Sequence, residues 1–287
     1  MFEKIKKFFV ISRPISWLNT AYPFAAGYII SGGVVDATFI IGTLYFLGPY
    51  NLLMYGVNDV FDYESDIRNP RKGGIEGAVT AKSFHPTILW ACALTNLPFL
   101  IALVILGTPL SSLVLAIVVF FVLAYSIAKL RFKERPVLDS ITSSMHFVGP
   151  LLFALSLFGL NASSLPFVIA FFFWGMASHA FGAVQDIIPD REGGLSSIAT
   201  VLGARRTTYF SLVLYIISVI LISTQGLLPT IVGIASLVYV INVIPYLKVT
   251  DKTSAITRPG WRRFIWLNLF VGFVVTMVLI TKTPFGT

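Results

Sequence analysis

Nine apolar runs, each close to twenty residues long, set what this chain can become: roughly 14–31, 37–57, 87–106, 111–129, 137–159, 164–185, 207–223, 227–247 and 264–281. A bilayer's hydrocarbon core takes about 20 helical residues to cross. In lipid every backbone N–H and C=O needs a partner inside the protein, which only helices and closed barrels supply. Runs this long and continuous are helices. Composition agrees, with 56% hydrophobic residues and 12% charged, against about 25% charged in a soluble domain. The sequence therefore predicts an all-α integral membrane protein, a single domain over 1–287 with nine transmembrane helices. The first run follows Lys4, Lys6 and Lys7 as a signal peptide's apolar region would, but Asn19, Thr20 and Pro23 interrupt its centre. It also lacks a small-residue cleavage site, so it is read as a retained span. Cys92 stands alone inside an apolar run and is read as packing.

The loops orient the chain. With nine spans, 20 of the 21 Lys and Arg residues fall on one side, and only Lys282 on the other. Positively charged loops stay in the cytoplasm, which predicts a cytoplasmic N-terminus, an external C-terminus and a multi-pass protein of the cell membrane. The net charge of +8 sits in short segments between apolar runs. That suits a lipid surface and argues against nucleic acid.

Twelve of the thirteen acidic residues share the basic side, Asp36 being the exception. Charge balance in polar loops accounts for Glu3, Glu76, Glu134 and Asp251. It does not account for the spacing in "YGVNDVFDYESDIRNPRKGG", residues 55–74. If the second helix continues past the membrane surface, Asn58, Asp59, Asp62 and Asp66 lie on one face. A second pair, Asp186 and Asp190 in "AVQDIIPDREGG", also closes an apolar helix, and both clusters lead into a Gly-Gly pair. Four helices, then four more, with one left over, predict two pseudo-repeated halves around a central cavity open to the cytoplasm. The acidic faces would meet there. Paired carboxylates suit a hard divalent cation, and magnesium is commonly held by one or two of them together with substrate phosphates. Arg68, Arg71, Lys72, Lys129 and Arg131 are placed to take the remaining phosphate oxygens. A calcium loop is excluded, because Val60, Phe61 and Ile67 occupy its ligand positions.

"NDVFDYESD" resembles the N-D-x-x-D-x-x-x-D motif of UbiA-type intramembrane prenyltransferases, and "DIIPD" resembles their second aspartate motif. The likeness runs the length of the chain and includes "YSIAK", with Tyr125 and Lys129. "SRPISWLNTAYPFAAGY", "KLRFKERP" and "HAFGAVQDIIPDREGGLSSIATVLGAR" are most similar to the lycopene elongases of carotenoid biosynthesis. That resemblance implies transfer of a dimethylallyl group from its diphosphate to the end of lycopene. Magnesium, as two ions, would neutralise the leaving diphosphate, and the allylic cation would be attacked by the acceptor's double bond. Asp62, Asp66 and Asp190 carry the expected catalytic roles, with Asn58, Asp59 and Asp186 completing the metal set. Many members carry a further aspartate four residues before the second pair, where this chain has Gly182. Gln185 or water would then supplement Asp186 and Asp190, and Pro189 removes a backbone N–H within the motif.

Aromatic faces stabilise cations, and Tyr22, Tyr50, Tyr55 and Phe61 lie near the motif or helix ends. Asn19, Tyr55, Tyr125, His179 and Gln185 are the candidate cavity residues. His146, His179, Asn19 and Asn96 otherwise read as contacts between helices. Trp17, Trp261 and Trp266 read as interfacial anchors, and Arg258, Arg262 and Arg263 as contacts to anionic headgroups. Two other acceptors remain open: an aromatic quinone precursor and a glycerol-linked lipid. A secondary transporter also uses repeated helical halves, but its sites lie near the bilayer midplane, and these carboxylates lie at helix ends.

Overall fold

A computed structural model describes residues 2–67 and 80–282. Every regular element among them is helical. The chain forms two compact units, residues 1–132 with 146–160, and residues 133–145 with 161–287. The expectation placed a boundary between the fourth and fifth spans. One observed boundary falls there, between Phe132 and Lys133, and two more fall between Met145 and His146, inside the fifth span, and between Leu160 and Asn161.

The first unit contains α1 (Phe2–Ile11), α2 (Trp17–Ile30), α3 (Ala37–Leu47), α4 (Pro49–Phe61), α5 (Tyr63–Asp66), α6 (His85–Leu106), α7 (Pro109–Ser126) and the later part of α8 (Leu138–Leu157). Asp36, the acid that breaks the charge partition, is the N-cap of α3. Its carboxylate accepts the Phe39 N–H at 2.8 Å, which satisfies an otherwise orphaned donor. That bond holds the Asp36 carboxyl below its ordinary range.

The second apolar run is not one helix. Pro49 has no N–H to donate, and the helix stops at Leu47 and restarts at Pro49. Side chains take up the freed backbone groups. Asn51 Nδ2 lies 2.8 Å from Phe46 O and 2.7 Å from Thr20 Oγ1. Asn96 Nδ2 donates to Pro49 O at 2.8 Å, the contact between helices expected of it. Around the break pack Phe24, Tyr45, Phe46, Tyr50 and Phe153, all fully buried. A Cβ on Gly42 would lie 2.1 Å from the Phe24 ring, so only glycine admits this approach of α3 to α2. Cys92 is buried, its Sγ 3.3 Å from Leu52 O, and serves packing as read.

The second unit holds the start of α8 with α9 (Leu165–Val184), α10 (Ile187–Glu192), α11 (Ile198–Leu202), α12 (Ala204–Ser223), α13 (Leu227–Val243) and α14 (Arg258–Lys282). Small hydroxyl residues join its helices, as in membrane bundles generally. Ser144 Oγ donates to Phe172 O at 2.7 Å, Ser218 Oγ to Ala170 O at 2.8 Å, and Ser178 Oγ meets Tyr215 Oη at 2.9 Å. Trp174, Tyr239 and Phe264 pack ring to ring behind them.

Among the described residues eight helical stretches are long and apolar enough to cross a membrane. The first of the nine expected spans corresponds to α2, only 14 residues long, or about 21 Å at 1.5 Å per residue. Large apolar side chains such as Trp90, Leu94 and Ile105 point outward, as lipid-facing residues do. The chain is a multi-pass membrane protein.

Candidate active site

The first acidic motif sits where α4 ends. Asp62 is the C-cap of α4, and a separate turn, α5, carries the chain on to Asp66. The helix therefore does not continue unbroken past the surface, and the single acidic face expected of residues 58–66 divides. Asn58 and Asp62 stay together: Asn58 Nδ2 donates to Asp62 Oδ2 at 2.7 Å and to Ser126 Oγ at 3.0 Å. Both amide hydrogens are thus engaged, which leaves Oδ1 as the acceptor end. Asp59 turns to a partner absent from the sequence reading. Arg13 Nη2 meets its Oδ1 at 2.8 Å, with the Asp59 side chain fully buried. The Arg13 guanidinium also lies 4.2 Å from the centre of the Tyr55 ring. Tyr55 therefore faces a cation already, one supplied by the protein.

Three basic residues of this unit share a backbone peculiarity. Arg13, Lys129 and Arg131 have φ values of 50°, 77° and 39°. Left-handed conformations are unfavourable for side chains of this kind and collect where function requires them. Arg131 directs Nη2 to 3.7 Å from Asp62 Oδ1 and Nη1 to 3.3 Å from Phe61 O. Lys129 is exposed. Arg68, Arg71, Lys72 and the Asp66 side chain lie outside the described residues. Tyr125 packs edge-on against His146, with ring centroids 5.0 Å apart. His146 Nε2 lies 3.5 Å from Phe121 O, a contact between α8 and α7. Tyr50 is fully buried and donates to His146 O at 3.1 Å. Asn19 is half-buried on α2.

In the second unit Asp186 is the N-cap of α10, and Asp190 lies one turn on. Pro189 is harmless there, since its position in the first helical turn has no intrahelical bond to lose. Arg191 fastens the turn, donating to Asp251 Oδ2 and to Thr200 O, each at 2.7 Å. Gln185 is buried, and its Nε2 donates to Gly182 O at 3.0 Å. Its Oε1 meets no hydrogen-bond donor among the described residues. A bound cation or water satisfies such a buried acceptor.

Gly182 has a physical explanation. A Cβ there would lie 2.9 Å from the Trp261 ring, and Trp261 is held by stacking on Phe264, with centroids 5.2 Å apart. The indole fills the space a carboxylate would need. Trp261 is thus a half-buried packing residue, not the interfacial anchor expected, whereas Trp266 is 71% exposed and fits that role. Arg263 donates to Tyr246 Oη at 2.8 Å.

His179 lies on α9 two turns before Asp186, and a buried chain reaches it: its Nδ1 is 3.1 Å from Ser140 Oγ, which is 3.3 Å from Asp139 Oδ1. Asp139 is fully buried, and its Oδ2 accepts the Ile198 N–H at 2.7 Å. Sequence reasoning passed over Asp139 and Ser140, because their partners lie 39 and 59 residues away.

The oxygen donors of Asn58, Asp62, Gln185, Asp186 and Asp190 are hard ligands, suited to magnesium rather than to a thiolate- or imidazole-seeking metal. Among the described residues no three His, Cys, Asp or Glu side chains gather into a metal cluster. Magnesium does not need one, since it retains water and uses one or two carboxylates with phosphate.

A profile of the UbiA prenyltransferase family matches residues 20–270. The chain belongs to that family. It is 51% identical, over 98% of both chains, to a lycopene elongase/hydratase of Corynebacterium glutamicum. A lycopene elongase/hydratase of Halobacterium salinarum is 31% identical over 94% of this chain and 95% of its own. Among solved structures, a UbiA homolog from Archaeoglobus fulgidus bound to DMAPP and Mg2+ superposes with a TM-score of 0.68 at 20% identity, covering 96% of this chain and all of that one. The family places the protein among the prenyltransferases.

Proposed function

We propose that this prenyltransferase moves a dimethylallyl group from its diphosphate to the end of lycopene in carotenoid biosynthesis. The observation that carries this reading is the 51% identity to a lycopene elongase/hydratase over 98% of each chain. The motif of Asn58, Asp62 and Asp66 and that of Asp186 and Asp190 would serve one reaction. Those side chains, with the Gln185 amide oxygen, would hold magnesium, and Asp59 would support them from its pairing with Arg13. Bound magnesium would supply charge neutralisation of the diphosphate, making it a better leaving group. Arg68, Arg71, Lys72, Lys129 and Arg131 would bind the remaining phosphate oxygens, arginine with its planar fork.

The protein's own contribution is electrostatic placement and the exclusion of water. The acceptor side supports a hydrocarbon. An acidic aromatic acceptor needs a spare cation, and among the described residues of the first unit the half-buried cations are engaged, Arg13 by Asp59 and Arg131 by Asp62. Lycopene is uncharged and dissolved in the bilayer, so it strands no charge on entering.

Expression in a cell that accumulates lycopene tests this reading. Extracted pigment should gain one or two five-carbon units, by mass. Unchanged pigment together with prenylation of an aromatic acid or a glycerol-linked lipid would refute the lycopene assignment.

A further inference from the structure

The turn that carries Asp190 needs support from outside itself. α10 has six residues, and an isolated helix shorter than about 12 residues is marginal in water. Asp186 sets it off from α9 as its N-cap, and Gly193 and Gly194 close it, Gly194 with a φ of 69°. On its apolar side Ile187 is fully buried, in a cluster with Val184, Ala199, Ala204 and Val249. On its polar side the anchor is Arg191. Its Nη1 donates to Asp251 Oδ2 and its Nη2 to Thr200 O, each at 2.7 Å. Thr200 lies in the last turn of α11, where carbonyls lack partners within their own helix.

The other oxygen of Asp251 is equally engaged. Oδ1 accepts the Ala204 N–H at 2.7 Å. Gly203, the N-cap of α12, has no side chain with which to cap that helix, so Asp251 caps it from 47 positions along the chain. Gly203 also has a φ of 79°, and a Cβ there would lie 3.1 Å from Asp251 Oδ1. One carboxylate and one guanidinium thus tie α10 to the end of α11, the start of α12 and the segment after α13. An exposed ion pair alone contributes little, and this one is partly exposed, at 45% for Arg191 and 39% for Asp251. Here, however, each ion is also fixed by a backbone group, so the planar fork is ordered at both ends.

We infer that the clasp of Arg191 and Asp251 sets the bearing at which α10 presents Asp190, which makes both of them positioning residues for the magnesium site. The inference rests on the metal set given under Proposed function. Successive residues on a helix point about 100° apart, so fixing the Arg191 side chain fixes the direction of its neighbour. Charge alone predicts a different pattern. Arg191 adjoins Asp190, so removing its cation should tighten the binding of a metal ion. Removing the Asp251 carboxylate should weaken that binding, and removing both should cancel. A clasp acts as a unit, so losing either half, or both halves, weakens the metal to the same extent.

Manganese is the probe, since Mn2+ takes the same oxygen ligands as magnesium. Electron paramagnetic resonance counts the free aqueous ion in titrations of the purified protein in detergent, with no substrate present. Arg191→Gln, Asp251→Asn and the double variant should each raise the Mn2+ dissociation constant about tenfold, the scale of losing a partner that orients a metal ligand. Arg191→Lys keeps the charge but loses the fork, and should raise it about threefold. It carries the test if the other variants do not fold. In turnover, half-maximal magnesium should rise by matching factors, while the rate at saturating magnesium stays within about threefold of wild type. A role in stability alone would change the number of folded sites and leave their affinity as it is. Unchanged or tighter binding in Arg191→Gln would overturn the inference, and so would opposite shifts that cancel in the double variant. If wild type binds no Mn2+, the magnesium reading fails and the clasp's role fails with it. The dissociation constant involves no acceptor, so failure of the lycopene reading leaves this test standing.

Discussion

Asp62 and Asp190 come from different units and differ in setting. Asp62 is buried beside Asn58 and Arg131, and Asp190 is half-buried one turn into α10. Asp→Asn keeps the shape of either side chain and removes its charge. Asp62→Asn and Asp190→Asn should each lower turnover by about 100-fold, the scale of losing one electrostatic contact to a charged transition state. Initial rates across a magnesium titration check this, with saturation moving to higher magnesium. Near-normal rates at limiting magnesium would remove these residues from the metal set. Arg13 poses a separate question. Its loss leaves the fully buried Asp59 without its 2.8 Å ion pair. Breaking a buried pair from one side costs about 3 kcal/mol. Arg13→Gln should therefore lower the thermal midpoint in detergent, and adding Asp59→Asn should recover most of the loss. The motifs around these residues were legible because each is local, within nine residues. The Arg13–Asp59 pair was not, since it joins positions 46 residues apart and depends on a left-handed turn at Arg13.

At the level of elements, apolar runs located the helices but hid their interruptions. Nothing in hydropathy separates α3 from α4, although Pro49 stood in the run. A proline inside a membrane helix is tolerated only where neighbours satisfy the freed backbone, and Asn51, Thr20 and Asn96 do so here. Asn51→Leu should therefore destabilise the first unit by about 1–3 kcal/mol, the cost of removing the donor that Leu47 O and Thr20 Oγ1 share. Thermal or denaturant unfolding in detergent measures it. Trp261 shows the converse limit. A tryptophan near a helix end reads equally as an anchor or as packing, and only the Gly182 contact on α9 decides between them.

Across the whole molecule, the charge partition predicts which loops face outward. Single cysteines at Val34 and Leu160, both exposed, should react in intact cells with a membrane-impermeant maleimide. One at Val137, also exposed, should react only after the cells are opened. The native Cys92 is buried and gives little background. Labelling of Val137 from outside would invert the topology. The acceptor belongs to this scale too, because a bilayer-dissolved hydrocarbon must reach a diphosphate held at helix ends. The most direct measurement reconstitutes the purified protein in vesicles that hold lycopene together with an acidic aromatic acceptor, then adds magnesium and radiolabelled dimethylallyl diphosphate. Label should appear in the lycopene fraction as products heavier by one or two five-carbon units, and should stop when magnesium is chelated. Label confined to the aromatic acid, or transfer that persists without divalent metal, would contradict the account.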